Sequence, residues 1–383
     1  MAYYTVSQSL LVQLPNLPKV MKAFFTNMTL VLLGLFFAVS VLELAVRVLP
    51  LPMLPVPLRQ LVHELEVRSQ KLSNPDPQLR HVIRPQTDYL FTWRDFSFRL
   101  KTNLNFPNAG FRGGTLGGPA WAVAVGDSFT FGHGVNQEAT WVARLAGIAT
   151  REIVNLGVPR WGPQQYTRSL EKYGIPLKPK VIFWCLFAND LSDSIIFERW
   201  LRGRSDRFSL GRFLRTHTVT FAIFRRLRVY LRAGSEDVNL REVSLRFNSK
   251  IVRANLNKES KRFSAAWPLA RREIETAYRE SQAANATFVL LYFPSKEQVY
   301  WDSIKEQAKS LESFDASTDN LSRATLEFCQ SRHLLCLDLT PALRKRALRR
   351  EKLYFTIDGH WNEHGHDAVA REIYSFLLAQ KIL

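Results

Sequence analysis

Five short apolar runs in the C-terminal two thirds of the chain constrain its fold more than any other feature. They are WAVAV (Trp121–Val125), IVNLG (Ile153–Gly157), VIFWCLF (Val181–Phe187), TFVLLYF (Thr287–Phe293) and LLCLDL (Leu334–Leu339). Each has the length of a strand and is almost continuously apolar, the pattern of a strand covered on both faces, as in a parallel sheet. Between them lie segments with apolar residues at helical spacing. EATWVARLAGIA follows the first run, PLARREIETAYRESQAANA precedes the fourth, and HDAVAREIYSFLLAQ closes the chain. Strands alternating with helices imply a three-layer α/β domain, in which function gathers at the carboxyl ends of the strands. At 383 residues the chain has room for one large domain or two modest ones.

The N-terminal part has a different character. From Ala23 to Leu42 there are 20 residues without a charge, about the length that spans a hydrocarbon core. Lys19 and Lys22 precede this run with no acid before them, which favours a cytoplasmic N-terminus. A cleaved signal peptide is the competing reading, because Ala38-Val39-Ser40 is a passable cleavage site; the length of the run favours an uncleaved anchor. The expected organisation is therefore a cytoplasmic tail (1–22), a transmembrane helix (23–42), a membrane-proximal linker (43–107) and a catalytic-type domain (108–383). In the linker, LPLPMLPVP (Leu49–Pro57) reads as a stiff exit, and the Gly- and Asn-rich NLNFPNAGFRGG at its end reads as loops.

Within the last domain, residues 199–232 break the alternation. They hold ten arginines (Arg199, Arg202, Arg204, Arg207, Arg212, Arg215, Arg225, Arg226, Arg228, Arg232), no lysine and one acid, Asp206. A solvated amphipathic helix pair and a contact with an anionic membrane surface are the two leading readings. The whole chain carries a net charge of +18, which suits a polyanionic partner or membrane surface. Nucleic acid is a poor candidate, because the anchor would remove the domain from the cytoplasm. Cys185, Cys329 and Cys336 are too few for a disulfide framework or a four-ligand zinc site. Cys185 reads as a buried thiol. Cys329 and Cys336 can pair in an oxidising compartment, but two buried thiols are the expectation.

The first strand ends abruptly in Gly126-Asp127-Ser128. A serine directly after a strand, flanked by glycine, can present its hydroxyl at the sheet's carboxyl edge and aim its own N–H at the same point. Such a serine needs a base, since its hydroxyl is un-ionised at neutral pH. TIDGHWNEHGHDAVA (Thr356–Ala370) supplies His360, with Asp358 two residues before it to orient the imidazole. The same stretch has a rival reading as a metal cluster of Asp358, His360, His364 and His366. Gly359 and Gly365 discourage the regular helix that this cluster requires, and no glutamate follows the spacing of a helical metalloprotease motif. An acyl-transfer site also needs oxyanion donors. The second and third strands end beside Gly157, with its backbone N–H, and Asn189, with its side-chain amide.

At these residues the chain resembles the SGNH (GDSL-type) hydrolase superfamily over roughly Asn108–Leu383. The resemblance implies a flavodoxin-like α/β/α fold that needs no cofactor or metal. It assigns Ser128 as nucleophile and first oxyanion donor, Gly157 and Asn189 as the other donors, His360 as base and Asp358 as its acid. Two departures are visible: Phe187-Ala188 precede Asn189 where many members have glycine, and Asp358 lies two rather than three residues before His360. The wording NAGFRGG, GDSFTFGHGV and DGHWNEHGH resembles membrane-anchored bacterial members related to alginate O-acetylation. The expectation is a single-pass inner-membrane esterase facing the periplasm, acting on O-acyl, notably O-acetyl, esters of a cell-envelope or secreted glycan. An O-acetyltransferase using the same triad, and a silent glycan-binding or assembly protein, are the alternatives.

Overall fold

The computed structural model describes residues 19–49, 53, 72–93, 95–113, 120–203, 218–221, 223–224, 235–240, 243–248, 260–304 and 319–383. Leu49 apart, the proline-rich exit is described only at Met53. Eight of the ten arginines of the 199–232 segment (all but Arg199 and Arg202), and Asp206 with them, lie outside the described residues.

The chain divides into two compact units, 1–69 with 208–231 and 70–207 with 232–383. In the first unit, α1 (Lys19–Val48) is one continuous helix. Its apolar side chains from Ala23 to Val41, among them Leu30, Leu33, Phe36 and Phe37, are exposed, and Ala23–Val46 is long and apolar enough to cross a membrane. Thr29 and Ser40 return their hydroxyls to the carbonyls of Phe25 and Phe36, so these polar groups need no partner outside the helix. Residues 218–221 and 223–224 also belong to this unit. They group with α1: Glu43 accepts the Thr220 N–H at 2.8 Å, and Val46 and Val219 are buried against each other.

The second unit begins with three antiparallel hairpins where the sequence suggests linker and loops. They are β1 (Ser73–Asp76) with β2 (Arg80–Ile83), β3 (Asp88–Thr92) with β4 (Ser97–Lys101), and β5 (Leu104–Asn105) with β6 (Gly110–Phe111). The alternation is plainest in β4, where Phe98 and Leu100 are buried and Ser97, Arg99 and Lys101 are exposed. These buried residues, with Leu79, Val82, Leu104 and Phe111, join one of the two main cores. The 72–107 stretch is therefore part of the folded unit, and its Gly and Asn residues punctuate hairpins.

The five expected strands are all present: β7 (Ala122–Val125), β8 (Ile153–Asn155), β9 (Val181–Leu186), β12 (Thr287–Tyr292) and β13 (Leu335–Asp338). They form one sheet in the order β13-β12-β9-β7-β8, with every pairing parallel. Counting these five strands alone in chain order, this is the flavodoxin-like 2-1-3-4-5 arrangement, whose switch point lies between the ends of β7 and β9. Intervening β10 (Ser235–Leu240) and β11 (Val243–Asn248) form a separate antiparallel hairpin.

Period-two alternation divides the strand side chains between two cores. Val123, Val125, Ile182, Trp184, Leu186 and Leu290 face one; Ala122, Ala124, Phe183, Cys185, Val289 and Leu291 face the other. The first face is covered by α4 (Pro163–Ser169), α6 (Lys261–Ala283) and α8 (Asn320–Arg332), through Tyr166, Ile274 and Phe328. The second is covered by α3 (Trp141–Ala149), α7 (Lys296–Ile304), α9 (Thr340–Leu348) and α10 (Glu363–Ala379), through Leu145, Tyr300, Leu343 and Ile373.

One expectation is corrected. Cys329 and Cys336 are joined in a disulfide rather than standing as two thiols, while Cys185 is a buried free thiol. His333 ends α8 in the left-handed conformation, with φ 55°, and turns the chain back along β13. The two cysteine Cα atoms are thereby brought to 6.3 Å, within the about 4.4–6.8 Å that bridged cysteines adopt.

Candidate active site

The turn after β7 is built by its own side chains. Asp127 accepts the Phe129 N–H at 2.9 Å and so caps α2 (Ser128–Phe131), a single helical turn. Gly132 closes that turn at φ 79°, a conformation that favours glycine. Gly157, beyond β8, lies so close to the backbone of Thr130 and Phe131 that any Cβ there would displace the turn. Ser128 thereby sits at the switch point, at the same sheet edge as the ends of β8, β9 and β12.

Three sequence-predicted residues meet there. Ser128 Oγ lies 2.7 Å from His360 Nε2, and His360 Nδ1 lies 2.5 Å from Asp358 Oδ1. A carboxylate only accepts, so Nδ1 carries the proton and Nε2 is left to receive one from the serine. Asp358 Oδ1 also accepts the His360 backbone N–H at 2.9 Å, a bond that the two-residue spacing permits. The His360 ring stands between Phe129 and His133, with centroids 4.8 Å from each.

The electrostatics separate the pair. Burial raises the Asp358 carboxyl, but the charge and hydrogen bonds of His360, with His133, outweigh it and hold the group well below the usual carboxylate range. Burial works against a charged His360, and Asp358 overcomes it, so the imidazole lies above its ordinary 6.5. His133 is pushed down to about 3 by burial and by His360, and is therefore neutral near pH 7.

The two expected oxyanion donors have partners of their own. The Gly157 N–H donates to the Asn155 side chain at 2.9 Å. The Asn189 amide, just before α5 (Asp190–Leu201), donates to Asp193 Oδ2 at 3.1 Å, beside a group of carboxyls that reaches the turn of Ser128. Burial raises Asp127, burial and Asp127 push Asp193 up to about 7, and Asp190, similarly raised, accepts the Tyr166 hydroxyl at 2.6 Å.

The histidine-rich loop does not converge on one point. His364 is exposed, whereas His366 is buried and accepts the Trp141 N–H through Nδ1 at 3.2 Å. Asn362 caps α10 by accepting the Gly365 N–H at 3.0 Å, which accounts for the asparagine of the motif. Among the described residues, the group able to offer three metal-ligand atoms is His133, Asp358 and His360, with those atoms within 4.8 Å of one another. Two of its members are the triad pair.

Sequence reasoning gave no role to Asp95, His133, Asn155, Asp193 or Lys296. His133 was visible within GDSFTFGHGV, and Lys296 lies three residues past the end of the fourth apolar run. Asp95 carried no signal, because its place depends on a hairpin that packs against a loop 262 residues away.

The fold and this arrangement define an α/β protein with a serine, histidine and aspartate in series at the switch point of its sheet. A family model described as the GDSL-like Lipase/Acylhydrolase family matches residues 124–368, well over half of the sequence, and the chain belongs to that family. A comparison with curated proteins finds no match. Among solved structures it is similar to a lipolytic protein of the G-D-S-L family from Desulfitobacterium hafniense, at 15% identity and a TM-score of 0.38, covering 67% of this chain and 98% of that one. It is also similar to a catalytic mutant of an acetylxylan esterase from Geobacillus stearothermophilus, at 12% identity and 0.37, covering 68% and 95%. A GDSL-like lipase from Bacteroides thetaiotaomicron matches at 10% and 0.35, covering 68% and 88%.

Proposed function

We propose that the chain is a membrane-anchored serine esterase that removes O-acyl groups, notably acetyl, from a cell-envelope or secreted glycan. The observation that carries the catalytic part is the unbroken series from Ser128 Oγ through His360 to Asp358. In this reading His360 Nε2 takes the Ser128 proton as Oγ attacks the ester carbonyl, and Asp358 stabilises the imidazolium. The alcohol leaves with that proton, and water, deprotonated by the same imidazole, releases the acid.

The developing oxyanion is met by the Ser128 N–H, by the Gly157 N–H shared with Asn155, and by the Asn189 amide once it turns from Asp193. The glycan assignment rests on the wording of NAGFRGG, GDSFTFGHGV and DGHWNEHGH. The extracytoplasmic placement is supported by α1, by Lys19 and Lys22 before its apolar span, and by the Cys329–Cys336 bridge, since disulfides persist in oxidising compartments.

Full-length enzyme should hydrolyse a chromogenic acetyl ester, and Ser128→Ala should abolish turnover while leaving the melting transition intact. Asn189→Ala should cost about 10²–10³ in kcat. Adding a glycan acceptor and following acetyl transfer separates an esterase from a transferase. Full activity in Ser128→Ala would overturn the reading.

A further inference from the structure

Two charged side chains outside the triad grip the loop that carries its acid and base. We propose that Lys296 and Asp95 are positioning residues, a clamp on Phe355–His360 that holds Asp358 and His360 in line with Ser128. The inference rests on the esterase reading above.

Lys296 opens α7 just past the end of β12 and is only 2% exposed. Its ammonium donates to the carbonyls of Phe355 at 3.1 Å, Thr356 at 3.3 Å and Asp358 at 2.9 Å. Three acceptors match the three N–H bonds of an ammonium. Burying a cation is costly unless each of those bonds is satisfied, and here a single loop satisfies them all. The Nζ atom also lies 5.9 Å from the centre of the Phe247 ring.

Asp95, in the turn between β3 and β4, takes hold of the opposite polarity. Its Oδ2 accepts the N–H of Ile357 at 2.7 Å and of Asp358 at 3.3 Å. The Thr356 carbonyl accepts a further bond from the Arg246 N–H at 2.7 Å, and the Phe355 N–H closes the loop on the His360 carbonyl at 3.1 Å. With the peptides on both sides of Asp358 held, its carboxylate stays free to face His360.

The charge of Lys296 has a second consequence. Among the described residues, the charged and titratable groups that act on His360 include Asp358, Asp127, Lys296, His133 and His366. The two acids favour the imidazolium, whereas the ammonium opposes it. Removing the ammonium therefore moves the base upward as well as loosening its loop.

The test uses full-length enzyme in detergent, normalised by phosphonate titration of the active serine. Lys296→Met keeps the apolar stem and removes the charge. It should lower kcat about 10- to 100-fold, the scale of a misplaced catalytic group, with KM within about twofold, and shift the acid limb of the kcat profile to higher pH. Asp95→Ala should lower kcat in the same way, and the double variant should lose less than the product of the two, because both grip one loop.

A folded variant of either residue with wild-type kcat, or a loss carried by KM with kcat unchanged, overturns the clamp. If Lys296→Met does not fold, the kcat of Asp95→Ala decides. Ser128→Ala assayed alongside separates the two readings. Its retained activity would sink the esterase, whereas its inactivity beside wild-type rates in the clamp variants would sink the clamp alone.

Discussion

Against the effect of burial, Asp358 and His360 shift one another in opposite directions through their charges and their hydrogen bond, and the signs of those shifts make the pair measurable. In the proposed mechanism His360 acts as a base only when neutral, so kcat/KM should rise with pH through a value above the ordinary 6.5. Asp358→Asn removes the group that raises it; the acid limb should move to lower pH while kcat falls about 10²–10⁴-fold through the wrong tautomer.

Stability follows from the same shifts. The lowered Asp358 contributes above the unfolded carboxyl value of about 3.9 and loses that contribution as pH falls through its folded value. The raised His360 contributes below about 6.5 and loses it as pH rises through its folded value. The melting-temperature gap between wild type and Asp358→Asn should therefore be widest between about pH 4 and 6.5, and should narrow toward pH 8. A gap that is flat over this range would mean that the pair is not ionised as described.

Among the elements, the five parallel strands were the most legible part of the sequence. A strand buried on both faces leaves a continuous apolar run, and each run became a strand within a residue or two of its expected ends. The hairpins of 73–111 were hidden because their strands are short, down to two residues in β5 and β6, and their Gly and Asn content reads equally well as loop. Ser128, His360 and Asp358 could be named from local motifs. The hydrogen bonds that occupy Gly157 and Asn189 could not, since they depend on side-chain directions at a sheet edge. The Cys329–Cys336 bridge was missed for a similar reason, because the return of the chain after His333 is a tertiary fact. That bridge closes a short loop and should contribute about 2 kcal/mol in the chain-entropy account. Cys329→Ser should lower the melting temperature of oxidised protein, and a reductant should lower the wild type by a similar amount. If the reductant leaves the wild-type transition unchanged, the bridge adds no stability.

At the scale of the whole molecule, α1 and the sheet-bearing unit make different demands on their surroundings. The exposed apolar surface within Ala23–Val46 is long and apolar enough to suit a lipid or detergent environment. With Lys19 and Lys22 ahead of it, a reporter fused at about residue 60 should be active as alkaline phosphatase; activity only as a cytoplasmic reporter would reverse the proposed placement. The sequence separations within the site then set an order of events. Ser128 meets His360 232 residues later in the chain, and Asp95 grips a loop more than 260 residues later. In the proposed reading, a polypeptide made from its N-terminus presents Ser128 long before His360 can activate it. In that reading such a chain carries its own safety catch: it stays chemically inert until the loop of Asp358 and His360 has folded back onto Ser128 and the hairpin of Asp95.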